Sequence, residues 1–216
     1  MKIAIDAMGG DKGLPVVIPA VKQVIAKYES VELILVGIEE QILDMLNQHN
    51  ISDNRISVVH ASEVVAMDES PAAALRYKKD SSMRVGVTLV KENKADAFVS
   101  AGNTGALMAI SKFVLKTIPG VLRPAIVSAM PTIKGYSYLL DLGANINCTG
   151  EHLYQFGVMG AILKSSLSQN KIKPKVALLN IGEEEIKGTE AIRDAARLLS
   201  KNNDINYIGY IEGDAI

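Results

Sequence analysis

Four glycine-bearing loops hold the residues whose types and spacing suit chemistry on an anion. The first is Asp6-Ala7-Met8-Gly9-Gly10-Asp11-Lys12-Gly13. Gly9 and Gly10 let the backbone come close to a ligand, and a helix that follows such a turn offers free N–H groups to negative charge. The second is Ser100-Ala101-Gly102-Asn103-Thr104-Gly105-Ala106, ahead of an apolar helix from Leu107 to Leu115. Ser100, Asn103 and Thr104 carry side-chain donors at the positive end of that helix, the composition of an uncharged phosphate cradle. Each loop has a plainer reading as well. Asp6 to Asp11 serves as a tight strand-to-helix turn, and Asn103 or Thr104 serves as a helix cap.

The third loop, Asp141-Leu142-Gly143-Ala144-Asn145, repeats the form: an acid ends a strand, then come a glycine and an amide. The fourth is Asn180-Ile181-Gly182-Glu183-Glu184-Glu185-Ile186-Lys187-Gly188-Thr189. A lysine at a helix start is disfavoured by the helix dipole unless it has an anionic partner. Lys187 is therefore the leading residue for neutralising phosphate or a developing oxyanion, and pairing with a neighbouring glutamate is its plain alternative. None of the four has the dinucleotide or Walker spacing. His49, His60 and His152 lack metal-ligand spacing and read as surface or structural residues. Cys148 has no evident base and reads as a small packing residue, and Arg123 before Pro124 is a weaker anion clamp.

The elements that must hold these loops alternate almost from end to end. Strands are predicted at Lys2–Asp6, Glu32–Val36, Ile56–His60, Ala97–Ser100, Ala125–Ala129, Tyr136–Asp141, Lys175–Asn180 and Ile205–Ile208. Several are apolar throughout, as strands covered on both faces of a parallel sheet must be. Leu14, Val17, Ile18, Val21, Val24 and Ile25 recur at helical spacing, as do Leu153, Phe156, Gly160, Leu163 and Leu167. Ser70-Pro71 reads as an N-cap followed by proline at the first helical position. The pattern predicts an α/β fold with a doubly wound, mostly parallel sheet. The exception is Ala125 to Asp141, where Pro131-Thr132-Ile133-Lys134-Gly135 is too short for a crossover and predicts an antiparallel hairpin.

The chain of 216 residues is 48% hydrophobic and carries a formal net charge of −1, so it offers nucleic acid no basic field. It reads as a single α/β domain over residues 1–216. One cysteine excludes an intrachain disulfide and fits a reducing interior. Met1-Lys2-Ile3-Ala4-Ile5-Asp6 enters a strand pattern directly, without a signal peptide. The least charged stretch, Ala97 to Ser111, is broken by a turn at Gly102-Asn103-Thr104-Gly105, so membrane contact is expected to be peripheral. The chain stops just past a strand, where this fold normally supplies a helix. An open strand edge there predicts self-association.

Together "IAIDAMGGD", "SAGNTGALMA", "RPAI", "LDLGAN" and "NIGEEEIKGTE" stand in the order seen in the PlsX family of acyl-acyl-carrier-protein:phosphate acyltransferases. The resemblance runs through Gly213. It implies transfer of a fatty acyl group from acyl-carrier protein to inorganic phosphate, giving acyl phosphate for phospholipid synthesis. It also implies a homodimer in the cytoplasm, touching the membrane peripherally, with a fold similar to phosphotransacetylases and isopropylmalate dehydrogenases. No metal or other cofactor is called for. By this resemblance Lys187 and Asn145 are the catalytic residues, and Asp6, Gly9, Gly10, Asp11, Ser100, Asn103, Thr104 and Gly182 bind phosphate. Two departures stand out. Family members carry histidine and alanine where this chain has Lys12-Gly13, and they continue past the point matching Ile216. The alternatives are a phosphotransacetylase-like enzyme using acyl-CoA and a non-catalytic module that keeps carrier-protein or subunit contacts.

Overall fold

The computed structural model describes every residue except 134, 144, 146, 169–172 and 183–186, with the side chain of 215 also left aside. By the density of contacts within the chain, the protein divides into two compact units, Met1–Thr117 and Ile118–Ile216.

The N-terminal unit is built on strands β1 (Lys2–Asp6), β2 (Glu32–Gly37), β3 (Ile56–His60) and β4 (Ala97–Val99), all parallel, in the order β3-β2-β1-β4. Helices α1 (Leu14–Lys27), α2 (Glu39–Gln48), α3 (Pro71–Tyr77), α4 (Ser82–Lys91) and α5 (Thr104–Leu115) connect or flank them. β2 shows why its sequence is apolar without alternation. Leu33 and Leu35 pack with Leu14, Ile18 and Val21 of α1 and Ile42 of α2 on one face. Ile34 and Val36 pack with Ala4 and with Leu89 of α4 on the other. Successive side chains point to opposite faces, so a strand covered twice must be apolar at every position. Truncating Ile18, which is fully buried, to alanine would cost about 2–5 kcal/mol.

Local signals set the helix ends. Ser70 Oγ accepts a hydrogen bond from Ala73 N at 3.2 Å, as expected for a serine before Pro71. Ser81 Oγ does the same for Arg84 N at 3.3 Å at the start of α4. The exit of α1 is held from outside: the Arg55 guanidinium donates to the carbonyls of Ile25, Tyr28 and Glu29 while pairing with Asp53. That pairing holds the Asp53 carboxyl down at about 2.

The C-terminal unit contains the expected hairpin, β5 (Val127–Thr132) with β6 (Gly135–Leu140), and a parallel pair, β7 (Lys175–Leu179) with β8 (Asn206–Ile211). Helices α6 (Gly150–Leu167) and α7 (Glu190–Lys201) complete it, with Leu178, Ala195 and Leu199 as its buried core. Strand boundaries differ from the sequence expectation, most clearly at the hairpin and at β8. Pairing in the hairpin continues through Pro131↔Tyr136 to Thr132↔Gly135, so the connection is shorter than the five residues expected. Pro131 is tolerated because a two-stranded ribbon does not require every N–H in a ladder. β8 runs on to Ile211 because the register shifts opposite Ile208 and Gly209, a bulge that absorbs the glycine that breaks the apolar run. Among the described residues no helix is long and apolar enough to cross a membrane.

Candidate functional site

In the N-terminal unit the first two loops meet through one carboxylate. Asp6, the last residue of β1, is only 2% exposed. Its Oδ1 accepts from Ser82 Oγ at 2.6 Å and from Met8 N at 3.2 Å, and its Oδ2 accepts from Ser100 Oγ at 2.7 Å. Ser100 Oγ in turn accepts from Gly102 N at 3.0 Å. A buried carboxylate needs donors to offset lost hydration, and here two hydroxyls and a backbone amide supply them. Gly9 is part of the same contact. A Cβ at Gly9 would fall 2.4 Å from Asp6 Oδ2 and 3.1 Å from Gly102 N, so any larger residue would push the two loops apart. Gly10 lies half-buried in the same turn, while Asp11 and Thr104 are exposed.

Asn103 is brought to this edge but turned inward. It is 9% exposed, its Oδ1 caps α5 by accepting from Ala106 N at 3.0 Å, and its Nδ2 donates to the carbonyls of Glu69, Met67 and Ala66 at 2.8, 3.0 and 3.3 Å. The capping role foreseen for Asn103 or Thr104 therefore belongs to Asn103. Its amide serves the segment leading into α3.

In the C-terminal unit a second aspartate organises the third loop. Asp141 follows β6 in a left-handed conformation, φ 66°. Its Oδ1 accepts from Asn145 Nδ2 at 2.8 Å, and its Oδ2 accepts from Cys148 Sγ at 3.1 Å. Asn145 Nδ2 also donates to the Pro124 carbonyl at 3.3 Å, so both of its N–H groups are committed, one within the loop and one outside it. Burial first, and then the Asp141 carboxylate, push the Cys148 thiol up to about 11, although Arg123 pulls the other way. Cys148 is thus a protonated thiol at neutral pH, in keeping with a packing residue and not a nucleophile.

The fourth loop is closed by Asn180. This residue, 8% exposed at the end of β7, donates from Nδ2 to the carbonyls of Gly182 at 2.9 Å and Lys187 at 3.2 Å. Gly188 must be glycine: its φ is +88°, and a Cβ would sit 2.2 Å from Asn180 Oδ1. Arg193 donates to the Gly188 carbonyl at 3.0 Å, and Thr189 Oγ1 caps α7. Gly182 is buried, and Lys187 stands exposed just before the α7 N-terminus. Glu183, Glu184 and Glu185, the acidic run proposed as partners for Lys187, lie outside the described residues.

Sequence reasoning missed Ser82 and the closing role of Asn180. Asp80-Ser81-Ser82 before an apolar stretch signals a cap, which Ser81 is. Nothing local shows that the next serine reaches an aspartate 76 positions away. Two of the histidines have structural partners: His152 completes the capping box of α6 with Thr149, and His60 Nδ1 accepts from Glu39 N at 3.4 Å. Among the described residues no cluster of three or more His, Cys, Asp or Glu suits a metal ion.

The model of one protein family, described as fatty acid synthesis protein, matches residues 1–216. The chain is 53% identical over 216 residues to a phosphate acyltransferase of Hydrogenovibrio crunogenus, covering 100% of this chain and 64% of that protein. It is 54% identical over 215 residues to a phosphate acyltransferase of Halorhodospira halophila, covering 99% and 62%. It thus spans less than two thirds of the length of these curated relatives. Among solved structures, a phosphotransacetylase from Streptococcus pyogenes superposes with TM-score 0.69 at 21% identity, over 100% of this chain and 69% of the other. The EutD phosphotransacetylase from Staphylococcus aureus gives 0.66 at 21% identity, over 100% and 69%. These likenesses agree with the mostly parallel α/β fold and its antiparallel hairpin.

Proposed function

Starting from the membership of this chain in the fatty acid synthesis protein family, we propose that it provides the phosphate-handling part of an acyltransferase that moves a fatty acyl group from acyl-carrier protein to inorganic phosphate. The observation that carries this reading is the 53–54% identity, along nearly the whole chain, to proteins named phosphate acyltransferase. The reaction asks for no protein nucleophile. A phosphate oxygen attacks the thioester carbonyl carbon, the C–S bond breaks, the thiolate leaves and is protonated, and acyl phosphate remains. The protein's task is to position an anion and to stabilise the tetrahedral oxyanion.

On this reading Lys187 supplies the positive charge, and the Asn180 clamp fixes its backbone. Within the N-terminal unit Gly9, Gly10, Asp11 and Thr104 offer backbone and side-chain donors or surface to an anion, and within the C-terminal unit Gly182 does so beside Lys187. Asp6, Ser100 and Asn103 hold those loops in place, since their polar groups are already engaged, and the side-chain N–H groups of Asn145 are engaged beside Asp141. The proposal includes a homodimer in the cytoplasm with peripheral membrane contact.

The test is phosphate-dependent release of free thiol from acyl-acyl-carrier protein. It should be run on this chain and on the chain continued with the remainder of the Hydrogenovibrio crunogenus relative. Lys187→Ala is expected to lower the rate about a hundredfold or more, with circular dichroism unchanged. Thiol release that ignores phosphate, or a Lys187→Ala variant as fast as the parent, would sink the reading. Faster turnover of acyl-CoA than of the carrier-protein thioester would transfer it to the phosphotransacetylase-like alternative.

A further inference from the structure

Cations gather on α3, α4 and the end of α5 in the N-terminal unit, although the chain as a whole has a net charge of −1. Arg76 lies in the last turn of α3, Lys78 and Lys79 follow it, Arg84 lies in the first turn of α4, and Lys112 and Lys116 stand at the end of α5. The three helices share one buried cluster around Ala74, Met83 and Ile110. Among the described residues none of these six side chains pairs with a carboxylate. Asp80, the one acid between Pro71 and Lys91, is turned to Ser62, whose N–H and hydroxyl donate to it at 2.9 and 2.5 Å. At the centre is the half-exposed ring of Phe113, with the Arg84 guanidinium 5.1 Å and the Lys116 ammonium 4.7 Å from its centroid. Arg84 also donates to the Leu75 carbonyl at 3.2 Å, which ties the last turn of α3 to this centre.

Two of these residues break local rules to reach the ring. Arg76 and Lys112 suit the negative ends of their helices, but Arg84 is the third residue of α4, at the positive end, where a cation is disfavoured. Lys116 has φ 67° and ψ −179°, a region all but confined to glycine. Both departures bring positive charge to Phe113, and the two charges repel each other there. Side chains placed against local preference on a surface mark a functional site. We infer that this face docks an acidic protein partner through the successive carboxylates of one of its helices. In the acyl-transfer reading, on which this identity rests, the partner is the acyl-carrier protein. Arg84 is half-buried and held by Leu75, and its guanidinium keeps N–H groups for a carboxylate in the fork geometry that favours one. A bilayer surface is served by mobile cations beside rings free to enter the apolar layer. Here the exposed rings are engaged by cations, Tyr77 by Arg76 at 5.4 Å and Phe113 by two. The charges are spread over three elements, which suits a row of carboxylates better than a single small anion.

Fluorescence anisotropy of labelled acyl-carrier protein titrated with this chain tests the docking face. Arg84→Glu and Lys116→Glu are each expected to weaken binding about tenfold, and binding of the parent should weaken as salt is raised. Lys91→Glu makes the same change of charge at the far end of α4 and should bind like the parent. If Arg84→Glu does not fold, Lys79→Glu, at an exposed position, is expected to weaken binding severalfold in its place. No binding by the parent chain, or equal weakening by Lys91→Glu and Lys116→Glu, would overturn the proposal. So would variants that keep the carrier protein but no longer sediment with phosphatidylglycerol vesicles, which makes the face a membrane contact. The thiol-release assay reports on the reaction separately. Thiol release that ignores phosphate, alongside carrier binding that Lys116→Glu weakens, would sink the acyl-transfer reading and leave the docking face standing.

Discussion

Asp6 and Asp141 do similar work by opposite means. Each carboxylate lies at the end of a strand, next to a glycine-bearing loop, and accepts hydrogen bonds on both oxygens. Asp6 is buried and reaches Ser82 and Ser100, which are 76 and 94 positions away. Asp141 is only partly buried, and its partners Asn145 and Cys148 lie within seven positions. The first loop is thus fastened by tertiary structure and should loosen only when the N-terminal unit unfolds. The third is fastened mainly to itself, with Asn145 reaching the Pro124 carbonyl and the Asp141 N–H the Ile126 carbonyl from outside the loop. Short-range contacts close small loops at little entropic cost, while long-range ones must wait for the fold that brings them together.

The largest expected effect is at Asp6. Asp6→Ala leaves the Ser82 and Ser100 hydroxyls without their acceptor in the interior and should lower stability by about 3 kcal/mol, measured by urea unfolding of the N-terminal unit. Next is Gly188→Ala, which forces a Cβ onto Asn180 Oδ1 at a positive φ and should cost about 2 kcal/mol by the same measurement on the C-terminal unit. Asp141→Ala removes only local, partly solvated bonds, and about 1 kcal/mol is expected. Equal losses at Asp6 and Asp141 would erase the contrast between them.

The finest probe is the Cys148 thiol. With its pKa raised from 9.0 to about 11, alkylation by iodoacetamide at pH 8 should run on the order of a hundredfold slower in the native chain than in urea. Asp141→Asn should recover part of that factor, because burial, the larger cause, remains. The sign for stability follows. A folded-state pKa above the unfolded one makes a contribution that is complete below pH 9.0 and lost as pH rises towards about 11. Unfolding free energy should fall across that window in the parent chain and stay flatter in Cys148→Ala. A native thiol that reacts as fast as the unfolded one would show that Asp141 does not hold it.

What could be read in the sequence follows the same division between near and far. The hairpin, the Ser70 cap and the doubly covered β2 rest on neighbours within one or two turns or on apolar pattern, and each was legible. Asn103 was legible as a cap because a cap is local, but its grip on the carbonyls of residues 66–69 was not. Ser82 stayed hidden because its partner is determined by how α4 lies against β1. Lys187 was singled out by its position before a helix, whereas the feature that holds its backbone, Asn180, looked like an ordinary strand end. β8 was read too short because an apolar pattern cannot show that a glycine is absorbed as a bulge.

The Asn180 clamp has a consequence for how the chain can vary. One side-chain amide bridges the carbonyls of Gly182 and Lys187, so the span between them begins and ends at fixed points whatever it contains. Position 180 is therefore restricted to a side chain that offers two N–H donors at that reach, and a change there releases the Gly182 and Lys187 carbonyls together.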